Sequence, residues 1–302
     1  MTTFCSARLL KPFMRLATSR AEARAAVPSE FWSANPDSRV SLESAHGMLA
    51  RGVELMRDDE LGLRVGAAMH FGDGGAFDYA LRSAATLRGS LNVATKYSGL
   101  LADRFRVTLE RWHGRCVLRM DDEMDWPRAA GDFAVSAFYK THLAGELPSA
   151  VGLECWFPYA TPQNLELYER VLPGARLRFG AAFFGFVLDA QYEDLPLPGA
   201  DAVLHTLHCQ RLDALLTRLN TSRSLNHDVR HLLKQMLRVQ TSPAAADVAR
   251  ELHVSQRTLA RKLEREGTTF TQELDGARRE LALALMRDAE VSLTELAFQL
   301  GF

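Results

Sequence analysis

Apolar and polar residues along this chain follow two different periods, and the period changes where turn-forming residues fall. Ser41 to Arg57 and Phe77 to Ala102 repeat every three to four residues, as helices do, the second carrying Leu81, Leu87, Leu91 and Ala94. Phe105 to Asp121 switches to a period of two. There Phe105, Val107 and Leu109 alternate with Arg106, Thr108 and Glu110, and His113-Gly114 supplies a turn pair, which predicts a hairpin with one buried face. The second run alternates less cleanly, because Val117 falls among the polar positions. A helix from about Asp132 to Leu143 follows, then a strand near Ala150 to Phe157 and a helix Gln163 to Val171 that Pro162 can open. Strands Ala175 to Gly180 and Phe183 to Leu188 complete an α+β sheet layer, and Pro196, Pro198 and Gly199 mark its end.

Beyond that break the pattern is helical throughout. From Ala200 to Leu219 the apolar positions are Leu204, Leu207, Leu212, Leu215, Leu216 and Leu219. This stripe suits a short coiled coil between two copies, or packing on the preceding domain. Ser242 to Gly267 then reads as two short helices joined by a tight turn. Ser242 can cap the first helix, with Pro243 at its first position, and Ala244, Val248 and Leu252 recur at helical spacing. His253 and Val254 make the turn, Ser255 caps the second helix, and Gly267 ends it in the left-handed conformation. This is the shape of a helix-turn-helix, whose second helix enters a DNA major groove.

The second helix carries matching chemistry. Leu259 and Leu263, four apart, should face inward, leaving Arg257, Ala260 and Arg261 on another face with Gln256 and Lys262 beside it. Arginine bonds guanine O6 and N7 bidentately, a small alanine allows close approach or a thymine methyl contact, and Gln256 and Lys262 suit phosphates. The plainer reading is a solvated basic face on an ordinary helical hairpin, which the cap, turn and end-glycine pattern disfavours. A long helix, Phe270 to Asp288, follows with Leu274, Ala277, Leu281, Leu285 and Met286 as its stripe, and Ser292 with Glu295 forms a capping box for another helix.

The runs "DVARELHVSQRTLARKLEREGTTF", "ARRELALALM" and "VSLTELAFQLGF", in that order, resemble the DNA-binding domain of AraC/XylS-family transcription regulators over about residues 225 to 302. In that family two helix-turn-helix units are joined by a long helix. The resemblance implies that Arg257, Ala260 and Arg261 face bases. It also implies double-stranded promoter DNA, a small-molecule effector and RNA polymerase as partners, while a second copy of the chain is suggested only by the leucine stripe of residues 200–219. His253 stands where relatives often have glycine, and an intact turn is expected because histidine tolerates a left-handed backbone better than a branched residue. The sequence stops at Phe302, where the family continues into its second recognition helix, so a shortened form with one groove-reading helix is expected. "ELGLRVGAAM", "AATLRGSLNVATKYSGLL" and "LRFGAAFFGFVLDAQYEDLPLPGAD" resemble, less sharply, the N-terminal effector-sensing domain of one subgroup of that family, distinct from the cupin-type arabinose sensor.

Composition narrows the remaining choices. With 302 residues two domains are natural, and a net charge of -1 rules out a polycation. Residues 222 to 302 carry 12 Lys/Arg against 11 Asp/Glu, so the basic surface must be local, at Arg250, Arg257, Arg261, Lys262 and Arg265. Cys5, Cys116, Cys155 and Cys209 are scattered without a CxxC pair, as in a reducing cytoplasm. The longest apolar stretch, near Ala181 to Leu188, is far too short to span a bilayer, so no membrane partner is expected. The first 28 residues are Arg-rich and acid-poor; beside a bacterial-type DNA-binding domain they read as a frayed tail or an early start rather than a transit peptide.

Catalysis finds no support. His205, His208 and Cys209 share a helix face, but a zinc site needs a further ligand. "FGDGG", Phe71 to Gly75, lacks the Lys and Ser/Thr of a P-loop and reads as a turn. Asp121, Asp122, Glu123 and Asp125 read as a solvated acidic loop rather than a cation or catalytic site. The expectation is therefore an α+β sensor domain followed by an all-α helix-turn-helix DNA-binding domain. Its parts are a tail 1–28, a sensor 29–199, a linker helix and possible dimer seam 200–222, and a DNA-binding domain 223–302. No cofactor, metal or catalytic residue is assigned, and effector contacts stay open, with Trp156, Phe157, Tyr159, Phe183, Phe184 and Phe186 as candidate pocket walls. The DNA-binding set is Ser255, Gln256, Arg257, Ala260, Arg261 and Lys262. A second possibility is a DNA-binding regulator whose N-terminal domain is a dimerisation or protein-interaction module without an effector.

Overall fold

A computed structural model describes residues 3–122, 126–144, 147, 152–222, 225–238, 243–252, 254–265 and 268–285. The chain divides into two compact units, Met1–Thr217 and Arg218–Phe302.

The first unit is built on a five-stranded mixed sheet in the order β3-β4-β7-β5-β6. Strands β3 (Phe105–Trp112) and β4 (Arg115–Asp122) form the expected hairpin. Its two turn residues both have positive φ, 48° at His113 and 75° at Gly114, the conformation a two-residue hairpin turn demands. β5 (Glu154–Phe157) runs antiparallel to β7 (Phe184–Asp189) and parallel to β6 (Arg176–Phe179). Alternate residues separate the two faces: Cys116, Leu118, Met120, Cys155, Phe157, Phe184, Phe186 and Leu188 enter the main core. Val117, Trp156 and Val187 form a smaller cluster with Phe183. Val117 breaks the polar alternation of β4 because that second face is covered as well.

Helices account for the rest: α1 (Lys11–Ser19), α2 (Ala21–Ala26), α3 (Leu42–Met56), α4 (Leu61–Ala67), α5 (Ala76–Arg82), α6 (Leu87–Tyr97), α7 (Arg128–Phe138) and α8 (Glu166–Val171). The frayed tail is overturned. β1 (Phe4–Ser6) pairs with β2 (Arg39–Ser41), and Cys5, Leu10, Phe13, Ala17, Ala23 and Ala26 are buried in the main core. The arginines of that segment occupy the outer faces of amphipathic helices, a pattern that charge counting alone conceals. The single helix expected over 77–102 is two. It breaks after Arg82, and Thr86 restarts it by accepting a hydrogen bond from Gly89 N at 3.2 Å. α8 begins three residues after the expected Gln163, and Pro162 lies outside it.

Two features fix α7. On α4, Gly62 and Gly66 lie one turn apart, and a Cβ at either would collide with α7, at the Ala129 carbonyl and at Ser136 with the Phe133 carbonyl. The motif "ELGLRVGAAM" is thus a close helix-helix contact written in glycines. Beneath α7, Asp132 is fully buried and accepts hydrogen bonds from the hydroxyls of Tyr159 and Tyr168, the latter at 3.2 Å. Arg128 Nη2 donates to the Tyr168 hydroxyl at 3.0 Å. Burial pushes the Asp132 carboxyl up to about 6. α7 then continues as one π-helical turn, Tyr139–Leu143.

Helix α9 (Ala202–Ser222) lies against the first unit through its middle. Leu212 is buried and Leu216 half-buried on the core, Tyr97 Oη donates to Asp213 at 2.8 Å, and Lys96 pairs with Asp213 at 2.8 Å. The leucine stripe therefore divides: Leu212 and Leu216 pack inward, whereas Val203, Leu204 and Leu207 are 78%, 46% and 57% exposed. His205, His208 and Cys209 have structural partners. His205 Nδ1 meets the Ala80 carbonyl at 3.0 Å, His208 stacks on Tyr79, and Cys209 Sγ lies 3.6 Å from His205 Nε2. Of the acidic run, Glu123 and Asp125 lie outside the described residues, as do the side chains of Asp121 and Asp122.

The second unit is helical: α10 (Leu225–Arg238), α11 (Ala245–Glu251), α12 (Gln256–Arg265) and α13 (Phe270–Leu285). Val229, Leu233, Leu237, Val248, Ala249, Leu259, Leu263, Ala277 and Leu281 form its core. Arg230 and buried Glu273 join α10 to α13 as an ion pair that Thr268 Oγ1 supplements at 2.8 Å. α13 starts with a capping box missed in the sequence: Gln272 N donates to Thr269 Oγ1 at 3.3 Å, and Thr269 N to Gln272 Oε1 at 2.9 Å. Among the described residues no helix is long and apolar enough to cross a membrane.

Candidate DNA-reading face and effector cavity

Helix α11 starts two residues later than expected. Ala244 is its N-cap and is exposed, so Ala249 takes the core position expected of Ala244. Ser242, His253, Glu266 and Gly267 lie outside the described residues, as do Met286, Asp288 and the final helix with Ser292 and Glu295. The turn closes with Val254 N donating to the Ala249 carbonyl at 2.9 Å. Ser255 then caps α12 as the sequence suggests, its Oγ accepting from Thr258 N at 3.1 Å.

This cap sets the phase of α12. Leu259 and Leu263 are 1% and 0% exposed against Val248 and Ala249, and that packing turns Gln256, Arg257, Ala260, Arg261 and Lys262 outward, all exposed. Among the described residues Arg257, Arg261 and Lys262 take part in no ion pair, so their donors are available to an external acceptor. The arrangement offers a short helix whose outer face presents two guanidiniums with a methyl-sized gap at Ala260, and a hydroxyl at its N-terminus. Guanidinium geometry matches guanine edges and phosphates.

The first unit contains a cavity of about 130 Å³ between the N-terminal segment, α3, α5, α7 and the sheet. Its walls are mainly aliphatic and aromatic, for example Leu10, Leu49, Phe105 and Phe133. Three polar groups on its wall stand out. His46, on α3, is held below its ordinary pKa by burial and so favours its neutral form. Asp78, on α5, receives Gly72 N at 2.8 Å and Gly74 N at 2.9 Å from the Phe71–Gly75 turn. His142, on the π-turn that ends α7, places Nε2 3.3 Å from Asp78 Oδ1, with both side chains at least 95% buried. His142 Nδ1 is buried and has no hydrogen-bond partner among the described residues.

None of the six aromatics expected to wall a pocket lines this cavity. Trp156 and Phe183 lie on the opposite face of the sheet, Phe157, Phe184 and Phe186 fill the core, and Tyr159 bonds Asp132. Strand alternation explains Trp156, which points away from Phe157, whereas Phe157, Phe184 and Phe186 share the face of cavity-lining Met120 and are taken up by core packing. Asp78 and His142 were missed because nothing in the sequence pairs residues 64 positions apart. The one local signal is the "FGDGG" turn itself. Its positive-φ glycines, 92° at Gly72 and 65° at Gly75, wrap the chain around the Asp78 carboxylate.

A helical unit presenting a capped, basic second helix, attached to an α+β unit with an apolar cavity, defines the class of two-domain, ligand-responsive DNA-binding regulators. Comparison with known proteins identifies which one. Residues 17–197 match the family model of the N-terminal arabinose-binding domain of AraC transcription regulators. The ornithine utilization regulator of Pseudomonas aeruginosa is 30% identical over 274 residues, 89% of this chain and 79% of that protein. An uncharacterised HTH-type transcriptional regulator of Mycobacterium tuberculosis is 28% identical over 286 residues, 89% of this chain and 79% of that one. The solved structure of the regulator CdpR from P. aeruginosa, at 21% identity, covers 97% of this chain and 90% of its own with a TM-score of 0.49, too weak a likeness to fix any detail here. The chain belongs to the AraC family: it is a transcription regulator with an N-terminal effector domain and a helix-turn-helix DNA-binding domain, and it is not an enzyme.

Proposed function

We infer that α12 is the helix that reads promoter DNA, with Arg257 and Arg261 on base edges, Ala260 against the groove floor, and Gln256, Lys262 and the Ser255 end of the helix on phosphates. The carrying observation is the outward face that Leu259 and Leu263 impose on a helix capped by Ser255. Double-stranded DNA in the cytoplasm is the partner, and RNA polymerase is the machine whose access or recruitment changes. A homodimer would suit paired half-sites. The exposed apolar face Val203, Leu204 and Leu207 supports it, because Leu212 and Leu216 are already engaged within the unit.

The test is a pair of substitutions assayed on a sequence selected from random duplexes by the full chain. Arg257→Ala removes about 1–3 kcal/mol of affinity for the selected site, roughly 5- to 150-fold, and relaxes preference at one base pair. Lys262→Ala weakens selected and scrambled duplexes alike and lowers the salt slope by about 1. A change in Arg257→Ala equal on both duplexes, or none, refutes base reading by α12. A monomer in sedimentation that still binds paired half-sites cooperatively refutes the dimer face.

A further inference from the structure

We propose that the effector of this regulator binds in the cavity of the first unit, and that it is a small molecule with an apolar body about the size of one aromatic ring and a single protic head group that engages His142 Nδ1. This rests on the reading of the chain as a ligand-responsive regulator and adds the site and the ligand class.

The size follows from the cavity. An apolar protein cavity of about 150 Å³ holds benzene, and this one measures about 130 Å³ on the comparable scale. Its aliphatic and aromatic walls suit hydrocarbon, not a sugar, whose hydroxyls would each need a partner. The amino acid ornithine fits no better. Its ammonium groups would need carboxylates, and among the described residues the one carboxylate facing the cavity, Asp78, already accepts two backbone N–H groups and meets His142.

The head group follows from the tautomer. Asp78 is an acceptor, so the His142 Nε2 beside it must carry the proton. Nδ1 is then a lone pair in the neutral ring, and a buried lone pair without a donor is the feature a ligand satisfies. A hydroxyl donates to it directly. A carboxylic acid either donates or transfers its proton, giving a carboxylate beside an imidazolium that Asp78 already faces. Both ligands share one chemistry, an X–H directed at Nδ1. The π-turn that holds Thr141 and His142 is a departure from α-helix of the kind found at functional sites, and it sets the ring at the cavity wall between Phe77 and Phe138.

Trp126 also lines the cavity and stacks on Phe105, so tryptophan emission reports its filling. The full chain is titrated with phenol, benzoic acid and toluene, following emission and melting temperature. Phenol, benzoic acid or both bind saturably and at least 10-fold tighter than toluene; which one wins distinguishes a hydroxyl from an acid head. His142→Phe brings that ratio to about one while toluene still binds. Should His142→Phe not fold, Ala134→Met narrows the cavity from its wall and abolishes binding of all three. The proposal is overturned if no probe binds the folded chain, if toluene binds as well as phenol and benzoic acid, or if His142→Phe leaves the ratio unchanged. Binding is measured without DNA, so it stands apart from the regulator reading. Loss of sequence-specific DNA binding would sink that reading alone, whereas a metabolite that shifts DNA affinity equally in wild type and His142→Phe would sink the cavity alone.

Discussion

Replacing Asp132 by asparagine should make the first unit relatively more stable as the pH rises, an effect opposite in sign to the loss of an ordinary salt bridge. Asp132 is fully buried, and burial outweighs its hydrogen bonds from Tyr159 and Tyr168 and the charge of Arg128, raising its pKa from 3.8 to about 6. A carboxyl raised in the folded state favours folding while protonated. Its contribution is therefore fully present below the unfolded value of 3.8 and is lost as the pH rises through about 6. The shift corresponds to about 3 kcal/mol in total, of which about 2–3 kcal/mol falls between pH 4 and pH 7. Asparagine is close to isosteric with the protonated acid, keeps an acceptor for a tyrosine hydroxyl and does not titrate. Whatever constant cost the substitution carries at Arg128 cancels when stability differences are compared across pH. The assay is urea unfolding of wild type and Asp132→Asn at several pH values between 4 and 7, read by tryptophan emission. All four tryptophans, Trp32, Trp112, Trp126 and Trp156, lie in the first unit, so its unfolding is followed alone. The stability of the variant minus that of wild type should rise by about 2–3 kcal/mol over that range. A flat difference would refute the raised pKa. A falling difference would show that Arg128 and the tyrosines overcome burial.

Two further outcomes follow from packing and burial. Gly66→Ala should destabilise the first unit by about 2 kcal/mol, or about 4–8 °C in Tm, because its Cβ meets Ser136 and the Phe133 carbonyl on α7. The helix-propensity gain of roughly 1 kcal/mol does not offset such a collision, and an unchanged Tm would mean that α4 and α7 separate easily. In the native chain Cys5 and Cys116, pushed up to about 12 by burial, and Cys155, also raised by burial, should react with a thiol-specific disulfide reagent only on unfolding. Fast labelling of any of the three in native buffer would contradict their burial, whereas half-buried Cys209 should label first.

Local signals carried much of this fold, and tertiary ones account for the misses. The hairpin is legible because His113-Gly114 has no good alternative to a turn. The phase of α12 is legible because Ser255, Leu259 and Leu263 agree with one another: the cap starts the helix and the leucines orient it. The N-terminal segment is misleading because its arginines outnumber its acids on faces that solvate them, while Phe13 and Ala17 are buried. The break at Thr86 is invisible to periodicity, since the residues on both sides belong to the same core. Gly62 and Gly66 stand out as a motif before any reason is evident, and the reason, the backbone of α7, lies more than 60 residues away. The paired Asp78 and His142 belong to the same category, because a cavity is assembled from elements that the chain visits separately.

The effector and DNA-reading functions must be coupled, and coupling requires an element with two arrangements for which the ligand has different affinities. Candidates have to touch the cavity and also the helix that continues towards the second unit. α5 meets both conditions within the first unit. Its Asp78 faces His142 across the cavity wall, while its Ala80 carbonyl meets His205 and its Tyr79 stacks on His208, both on α9. α9 in turn runs from Ala202 to Ser222, past the boundary at Thr217. Adjacency alone is not coupling, but the chemistry at the α5 end is suited to switching. A proton donor arriving at His142 Nδ1 polarises the ring towards Asp78 Oδ1, and the other oxygen of that carboxylate holds the Gly72 and Gly74 amides. Those amides belong to the turn that starts α5. A ligand with no protic head fills the same space without that change, so it would stabilise the first unit while leaving DNA affinity where it was.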